Sequence, residues 1–464
     1  MKYDAIVIGS GQGGNPLAYA LADLGQTVAL VEEGPLGGTC INTGCTPTKT
    51  MVASAQVAYY ARNGARWGVR TGDVSVDLSA VVARKNKIVE SARSGHEKRV
   101  RDRKTMRLYR AHGRFAGPHS LRAGDDLLES ERIFIDTGTR SGIPPLDGLD
   151  GVTYLTNASI MELSAVPEHL LIVGGGYVGL EFGQMFRRFG SAVTVVHRLP
   201  LLLAREDEDV ADELRKVLEA EGIRFLLNSH PVRVRHEAGQ IRMTVETAAT
   251  GDPGAKTQTE TLAGSHLLIA TGRRPNTETL GLDQAGIETD DHGYVKVNDR
   301  LETSVPGVWA IGDVKGGPAF THISYNDYQI IYGNLVEQKN LSIKDRIVPY
   351  AVFTDPQLGR VGITEKQARD AGRKLKIGKI AMTQVSRALE RDETAGLMKL
   401  IVDAQTDKVL GAAILSSEGG EVVQILSMLM LADQPYTLLK GAIYIHPTMA
   451  EGFFGLMESV KPME

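Results

Sequence analysis

Residues 3–14 read YDAIVIGSGQGG, and residues 169–183 read HLLIVGGGYVGLEFG. In the first stretch an apolar, strand-like run empties into Gly9-x-Gly11-x-x-Gly14. Residues 17–24 then carry apolar side chains at helical spacing, and residues 27–33, TVALVEE, make a second strand. The second stretch repeats the pattern with Gly174, Gly176 and Gly179, a helical segment to Phe189, and the strand VTVVHR at 193–198. Gly11 to Glu32 is 21 residues, and so is Gly176 to His197. Two β-α-β units in matching register predict an α/β chain with two Rossmann-like dinucleotide-binding domains.

The glycines have separate tasks. The strand must turn sharply, the backbone must approach a pyrophosphate, and the helix must pack closely on the strand. The helix N-terminus offers free N–H groups to the phosphates. Glu32 ends the second strand, where a carboxylate accepts from ribose hydroxyls. In the second unit that place holds His197 and then Arg198, with Arg205 nearby. Cations there favour a 2′-phosphate, hence NADP. NAD follows instead if Glu206 or Asp207 reaches the ribose.

Working outward, residues 139–147 carry Gly142, Pro144 and Pro145 and read as a crossover into the second domain. Residues 206–221 have apolar Val210, Leu214, Val217 and Leu218 at helical spacing. Residues 98–110 hold seven basic side chains against one Asp and read as a solvated helix face. From about Val348 strand-like and helical runs alternate without a further glycine fingerprint, which predicts a third, α+β domain.

Composition agrees. A length of 464 residues suggests about three domains. The 52 basic and 56 acidic residues leave a net charge of −4, too balanced to indicate nucleic acid or a membrane surface as partner. The 51 glycines exceed the average share without a collagen period, so they belong in turns and phosphate loops. The longest apolar stretch, residues 422–432, is interrupted by Gln424 and Ser427 and falls short of the ~20 residues a membrane span needs. It reads as a helix in a core or subunit interface. No export segment is visible, so a cytoplasmic location is expected.

Residues 37–49, GGTCINTGCTPTK, hold the only two cysteines, Cys40 and Cys45. A staple this short constrains little chain entropy, and a metal site needs more ligands than the local window offers, so no metal site is expected. Two thiols directly after a cofactor loop fit a redox couple better. A helix expected from about Thr48 places Cys45 near its positive end, which favours a thiolate.

With these motifs the chain resembles the pyridine nucleotide-disulfide oxidoreductases, the flavoprotein family of dihydrolipoamide dehydrogenase, glutathione reductase and mercuric reductase. The carriers are GSGQGG, GGTCINTGCTPTK, GGGYVGLE, ATGRRPN (270–276), VWAIGD (308–313) and IHPTMAE (445–451), spread over the whole chain. The resemblance implies an FAD-binding domain at 1–150 and 276–345, an NAD(P)-binding domain at 151–275, and a dimerisation domain at 346–464. It implies that Gly9, Gly11, Gly14, Glu32, Thr39, Lys49, Gly113, Thr137, Gly138, Asp313 and Thr321 hold FAD. Gly174, Gly176, Tyr177, Gly179, His197, Arg198 and Gly272 would hold the nicotinamide nucleotide, with Tyr177 at the place of a gating tyrosine. Lys49 and Glu181 would pair near the flavin. Cys45 would be the thiolate beside the flavin, and Cys40 the thiol that meets substrate. His446 and Glu451 would be the acid–base pair, reaching the cysteines of the other subunit of a homodimer.

The implied activity passes electrons from NADPH through FAD and the Cys40/Cys45 disulfide to a small oxidised substrate, a low-molecular-weight disulfide or a thiol-reactive oxidant. The chain lacks the C-terminal cysteine pair of mercuric reductase and keeps His446 where that enzyme usually has tyrosine. Position 197 lacks the acid usual in dihydrolipoamide dehydrogenase. The segments AREDEDVAD, GGPAFTHISYNDYQI and VPYAVFTDPQLGRVG look most like a mercuric reductase-like branch that includes hypothiocyanous acid reductases. Dihydrolipoamide oxidation and metal-ion reduction remain alternatives. So do a flavin-bearing soft-metal-binding protein and a transhydrogenase or oxidase that bypasses the thiols.

Overall fold

The computed structural model describes residues 1–248 and 257–463. They divide into two compact units. The first comprises Met1–Thr50, Ala80–Gly142 and Gly272–Arg346; the second comprises Met51–Ser79, Ile143–Thr271 and Ile347–Glu464.

In the first unit the strands run, in sheet order, Val308–Ala310, Ile133–Ile135, Ala5–Ile8, Val28–Val31 and Met106–Tyr109, all parallel. Ala5–Ile8 and Val28–Val31 are buried at every position. That is the signature of a parallel sheet covered on both faces, and it explains why these strands read as unbroken apolar runs. Helix Gly14–Asp23 packs Leu17, Ala18 and Leu21 against one face. Gly113–Gly117, Ser120–Ala123 and Asp126–Glu129 form an antiparallel meander, and Thr139–Ser141 pairs with Arg273–Pro275.

The second unit repeats the architecture. Its parallel sheet runs Ile223–Leu226, Ala192–Val196, His169–Val173, His266–Ile269. Helix Tyr177–Phe189 follows the central strand, and helix Glu208–Ala220 buries Val210, Leu214 and Leu218, as the spacing predicts. Ser229–Glu237, Gln240–Thr247 and Gln258–Gly264 make an antiparallel meander. The C-terminal part is an antiparallel sheet in the order Tyr350–Val352, Gln357–Gly362, Val409–Ser416, Leu397–Asp403, Leu375–Ala381, Lys461–Pro462. Helix Gly419–Leu431 covers it with Val422, Val423, Leu426 and Leu429, while Met428 and Leu431 face outward.

One expectation is corrected. The basic run 98–110 is not a single helix face. Helix Leu78–Arg101 stops inside it, and the strand Met106–Tyr109 begins before it ends. Arg103 and Arg107 lie over the rings of Tyr19 and Tyr109, while Arg107 and most of the run stay exposed, so the solvated character holds and the single helix face does not.

Candidate active site

The first glycine loop is built around a close approach. Gly9 has φ +97°, and a Cβ there would stand 2.3 Å from the Asp136 carbonyl, so only glycine fits. Its N–H donates to Val31 O (2.8 Å), tying the loop to the neighbouring strand. Gly14 opens the helix and donates its N–H to Asp136 Oδ2 (2.7 Å). A Cβ on Gly11 would meet the same carboxyl at 2.6 Å. Glu32 accepts from Ser10 N (2.9 Å), Ser10 Oγ (2.7 Å) and Gly34 N (2.8 Å), which fixes its carboxylate at the mouth of the loop.

The other residues expected around FAD lie in the same unit. Gly113 starts a strand against Ile8 and Val31. Thr137 Oγ1 donates to Asn276 O (3.0 Å), and Asn276 Nδ2 donates to Thr137 O (2.8 Å), with Gly138 next in the chain at φ +63°. Asp313 accepts from Thr139 Oγ1 (2.9 Å) and faces the Arg273 guanidinium at 3.8 Å. Thr321 opens helix Thr321–Leu335 and lies 3.2 Å, oxygen to sulfur, from Cys45.

Thr39 and Cys40 lie on the short helix Gly38–Asn42, and Cys45 is the first residue of helix Cys45–Asn63. The helix thus starts three residues earlier than expected. Pro47 falls in its first turn, where a missing N–H breaks no hydrogen bond. Both cysteines are thiols; Cys40 is partly buried and Cys45 exposed. The Cys45 sulfur beside Cys40, and then burial, push the Cys40 thiol far above its ordinary value, so it keeps its proton. Lys49 stands four residues, about one turn, beyond Cys45 on the same helix.

The second loop mirrors the first. Gly174 has φ +120°, with a Cβ position 2.2 Å from the Ala270 carbonyl, and its N–H donates to Val196 O (2.9 Å). Gly176 caps helix Tyr177–Phe189, which starts with exposed Tyr177 and carries Gly179 in its first turn. His197 Nδ1 accepts from Gly175 N (3.1 Å), leaving its Nε2–H to donate to Leu201 O (3.0 Å). Burial first, and Arg198 as well, lower its pKa. His197 is therefore a neutral imidazole, and the cations at this position are exposed Arg198 and Arg205. Glu206 and Asp207 are buried in ion pairs with Arg360, so the carboxylates on which an NAD alternative depended are engaged elsewhere. Gly272, at φ +127°, belongs to the first unit.

Glu181 is buried and accepts from Phe353 N (2.8 Å). Near the C-terminus His446 Nδ1 lies 2.9 Å from both Glu451 carboxylate oxygens, with the imidazole largely exposed. The carboxylate accepts a hydrogen bond from Nδ1–H, which orients the ring and puts the lone pair on Nε2. Ile443 and Ile445, beside it in sequence, are also exposed.

Sequence reasoning missed Asp136. It ends the apolar strand Ile133–Ile135 as Glu32 ends Val28–Val31, and that acid-after-strand pattern was the available signal. Among the described residues no group of three or more His, Cys, Asp or Glu is placed to hold a metal ion. Among them, no helix is long and apolar enough to cross a membrane.

Two parallel-sheet units with glycine loops, one shaped for an adenine dinucleotide next to a dithiol and one edged with arginine, define a flavin- and nicotinamide-dependent dithiol enzyme. Residues 3–327 match the family described as pyridine nucleotide-disulphide oxidoreductase, and residues 348–455 match its dimerisation domain. The chain belongs to this family and is an NAD(P)H-dependent flavoprotein disulfide oxidoreductase. It is 37% identical to the probable pyridine nucleotide-disulfide oxidoreductase RclA of Escherichia coli strain K12, over 99% of this chain and 100% of that protein. It is 34% identical to a dihydrolipoyl dehydrogenase of Thermus scotoductus (99% and 97% covered) and 32% identical to a mercuric reductase of Lysinibacillus sphaericus (97% and 81%). Among solved structures it is similar to the Cu(II) complex of the HOCl-induced flavoprotein disulfide reductase RclA from Escherichia coli, with TM-score 0.89, 36% identity, and 99% and 100% of the two chains covered.

Proposed function

We propose that the chain uses NADPH to reduce a low-molecular-weight disulfide or a thiol-reactive oxidant, with Cys40 and Cys45 as the redox pair. The carrying observation is the dithiol itself: Cys45 at the first turn of a helix, hydrogen-bonded to Thr321, beside a Cys40 thiol that holds its proton. The Gly9–Gly14 loop, Glu32, Thr137, Gly138 and Asp313 fit FAD, because the loop's glycines have no room for a Cβ and its rim presents fixed acceptors. Thr39, Lys49 and Gly113 complete that set. Bound there, FAD supplies the two-electron link between nicotinamide and dithiol. Gly174, Gly176, Tyr177, Gly179, Arg198 and Gly272 hold NADPH, and His197 holds the loop.

Substrate turnover then follows from thiol chemistry. Cys40 is deprotonated by His446 of a second copy of the chain, with Glu451 orienting the imidazole. The Cys40 thiolate attacks one sulfur of the substrate disulfide. A mixed disulfide forms, the substrate S–S bond breaks, and the imidazolium protonates the departing thiolate. The Cys45 thiolate attacks Cys40 sulfur, releases the second substrate thiolate and leaves the Cys40–Cys45 disulfide. The high proton affinity of Cys40 is what makes an external base necessary. The second copy is supported by the dimerisation-domain match and by the exposed apolar side chains Met428, Leu431, Leu438, Ile443 and Ile445. We assign the domains as 1–150 with 276–345, 151–275 and 346–464, and place the enzyme in the cytoplasm, where a chain with only two cysteines fits a reducing environment.

The test is an anaerobic NADPH titration of wild type and Cys45→Ser. A long-wavelength thiolate–flavin absorbance band is expected in wild type and absent in the variant, with disulfide turnover lowered by at least about 10³-fold, the scale of losing a nucleophile. Equal bleaching and equal turnover in both would make the thiols bystanders and favour the transhydrogenase or oxidase alternative.

A further inference from the structure

The run Arg205-Glu206-Asp207-Glu208-Asp209 follows the nucleotide-binding strand by less than ten residues, and three of its acids are captured by one row of the C-terminal sheet. Tyr350 stands opposite Arg360, Arg360 opposite Ala413, Ala413 opposite Lys399, and Lys399 opposite Lys379. Directly opposed residues share a face, so the five positions form a transverse stripe across neighbouring strands. Each captured acid has its own place on that stripe. Glu206 accepts from the Tyr350 hydroxyl and lies 3.7 Å from Arg360. Asp207 lies 3.4 Å from Arg360 and 3.7 Å from Lys399, and also accepts from Glu365 N (2.9 Å). Asp209 pairs with Lys399 (2.9 Å) and Lys379 (2.6 Å). Arg360 is 1% exposed and Lys399 4%.

A strand face with Lys399 opposite Lys379 is unfavourable alone, because like charges directly opposed repel. A buried Arg360 without a partner is more unfavourable still. The stripe is therefore shaped for the acidic run. Its effect at the nucleotide end is a matter of sign: with Glu206 and Asp207 drawn onto the sheet, the exposed charges left near the end of that strand include Arg198 and Arg205.

We propose that Arg360 and Lys399 are specificity-determining positioning residues, which withdraw Glu206 and Asp207 from the nucleotide's 2′ position so that Arg198 and Arg205 meet a 2′-phosphate without a competing carboxylate. This rests on the NADPH reading above. Ribose hydroxyls are what a freed Glu206 or Asp207 accepts from, so loss of the stripe moves preference toward NAD.

The experiment measures affinities of the FAD-loaded dimer for NADP⁺ and for NAD⁺ by calorimetry, in wild type, Arg360→Met and Lys399→Met. A third variant combines Arg360→Met with Glu206→Gln and Asp207→Asn. The NADP⁺/NAD⁺ affinity ratio is expected to fall at least about tenfold in Arg360→Met, the size of one added charge near a partly exposed site. It should fall less in Lys399→Met, and return toward wild type when the freed acids are neutralised. A merely structural role lowers both affinities together and is not rescued by removing acids. If wild type prefers NADP⁺ and both single variants keep its ratio, the stripe has no part in selection while the NADPH reading stands. If wild type prefers NAD⁺, both fall. Should Arg360→Met fail to fold, Lys399→Met carries the same two outcomes.

Discussion

The two glycine loops of this chain have the same skeleton and opposite fittings. In each, the first glycine donates its N–H to the neighbouring strand and would collide with a carbonyl if it had a Cβ: Gly9 with Asp136, Gly174 with Ala270. In each, the next residue donates its N–H to the side chain ending the second strand: Ser10 to Glu32, Gly175 to His197. What differs is that side chain's charge and what stands under the loop. The first loop has a fixed carboxylate at its rim and the Asp136 carboxyl beneath. The second has a neutral imidazole at its rim and, in the place of Asp136, alanine. The two loops thus share a backbone and differ in the side chains at the rim and beneath it.

The largest expected effect of breaking this contrast is at Glu32. Glu32→Ala removes a charged acceptor and leaves the Ser10 N–H without its partner. FAD affinity should fall about 10- to 100-fold, read as flavin lost on gel filtration and as the rise of free-flavin fluorescence. Retention equal to wild type would mean that Glu32 serves the loop alone.

Asp136→Asn comes next. Burial pushes the Asp136 carboxyl well above its ordinary 3.8, the Gly14 N–H opposes this, and the charges of Asp313, Asp327 and Glu32 add to the rise. Asp327 is itself paired with Lys315 and Arg346. A carboxyl raised in the folded state contributes its full stability below pH 3.8 and loses it as pH climbs toward the raised value. Asparagine keeps the acceptor for Gly14 and cannot ionise. Its melting temperature relative to wild type should therefore improve steadily as pH rises above 3.8, by about 1 °C per kcal/mol recovered at this chain length. A difference that is flat with pH would remove the carboxyl's ionisation from the contrast between the loops.

The smallest effect is expected at His197. A neutral imidazole held by Gly175 and Leu201 contributes no charge to a 2′-phosphate. His197→Asn should weaken NADP⁺ and NAD⁺ binding alike, by about 2- to 10-fold through one lost loop hydrogen bond. Selective loss of NADP⁺ binding would show that the ring is protonated in the complex and bonds the phosphate directly.

Much of this was legible in the sequence because it is local. The glycine spacing, the strand before it and the side chain 21 residues after Gly11 or Gly176 all lie within one β-α-β unit. The dithiol was legible for the same reason. Asp136 was not, since parallel pairing of Ile133–Ile135 with Ala5–Ile8 brings it under a loop more than 120 residues away. Nor was the burial of Glu206 and Asp207, whose partners lie about 150 to 190 residues further on. The basic run 98–110 was read as one helix face because charge spacing carries no mark of where a helix stops, and the helix expected from Thr48 starts at Cys45 because a first turn accommodates Pro47, which has no N–H to lose.

The stripe of Tyr350, Arg360, Lys399 and Lys379 bears on how such enzymes recombine. Residues 143–271 look like a cassette that exchange between relatives would transplant whole, together with its coenzyme preference. Here half of the lock lies outside the cassette, on strands that begin only at Tyr350 and continue past Lys399. A graft that brings the acidic run without the stripe, or the stripe without the run, inherits unmatched buried charges. The two pieces are therefore tied to inheritance as a pair, and on the proposal above coenzyme choice is a property of the whole gene.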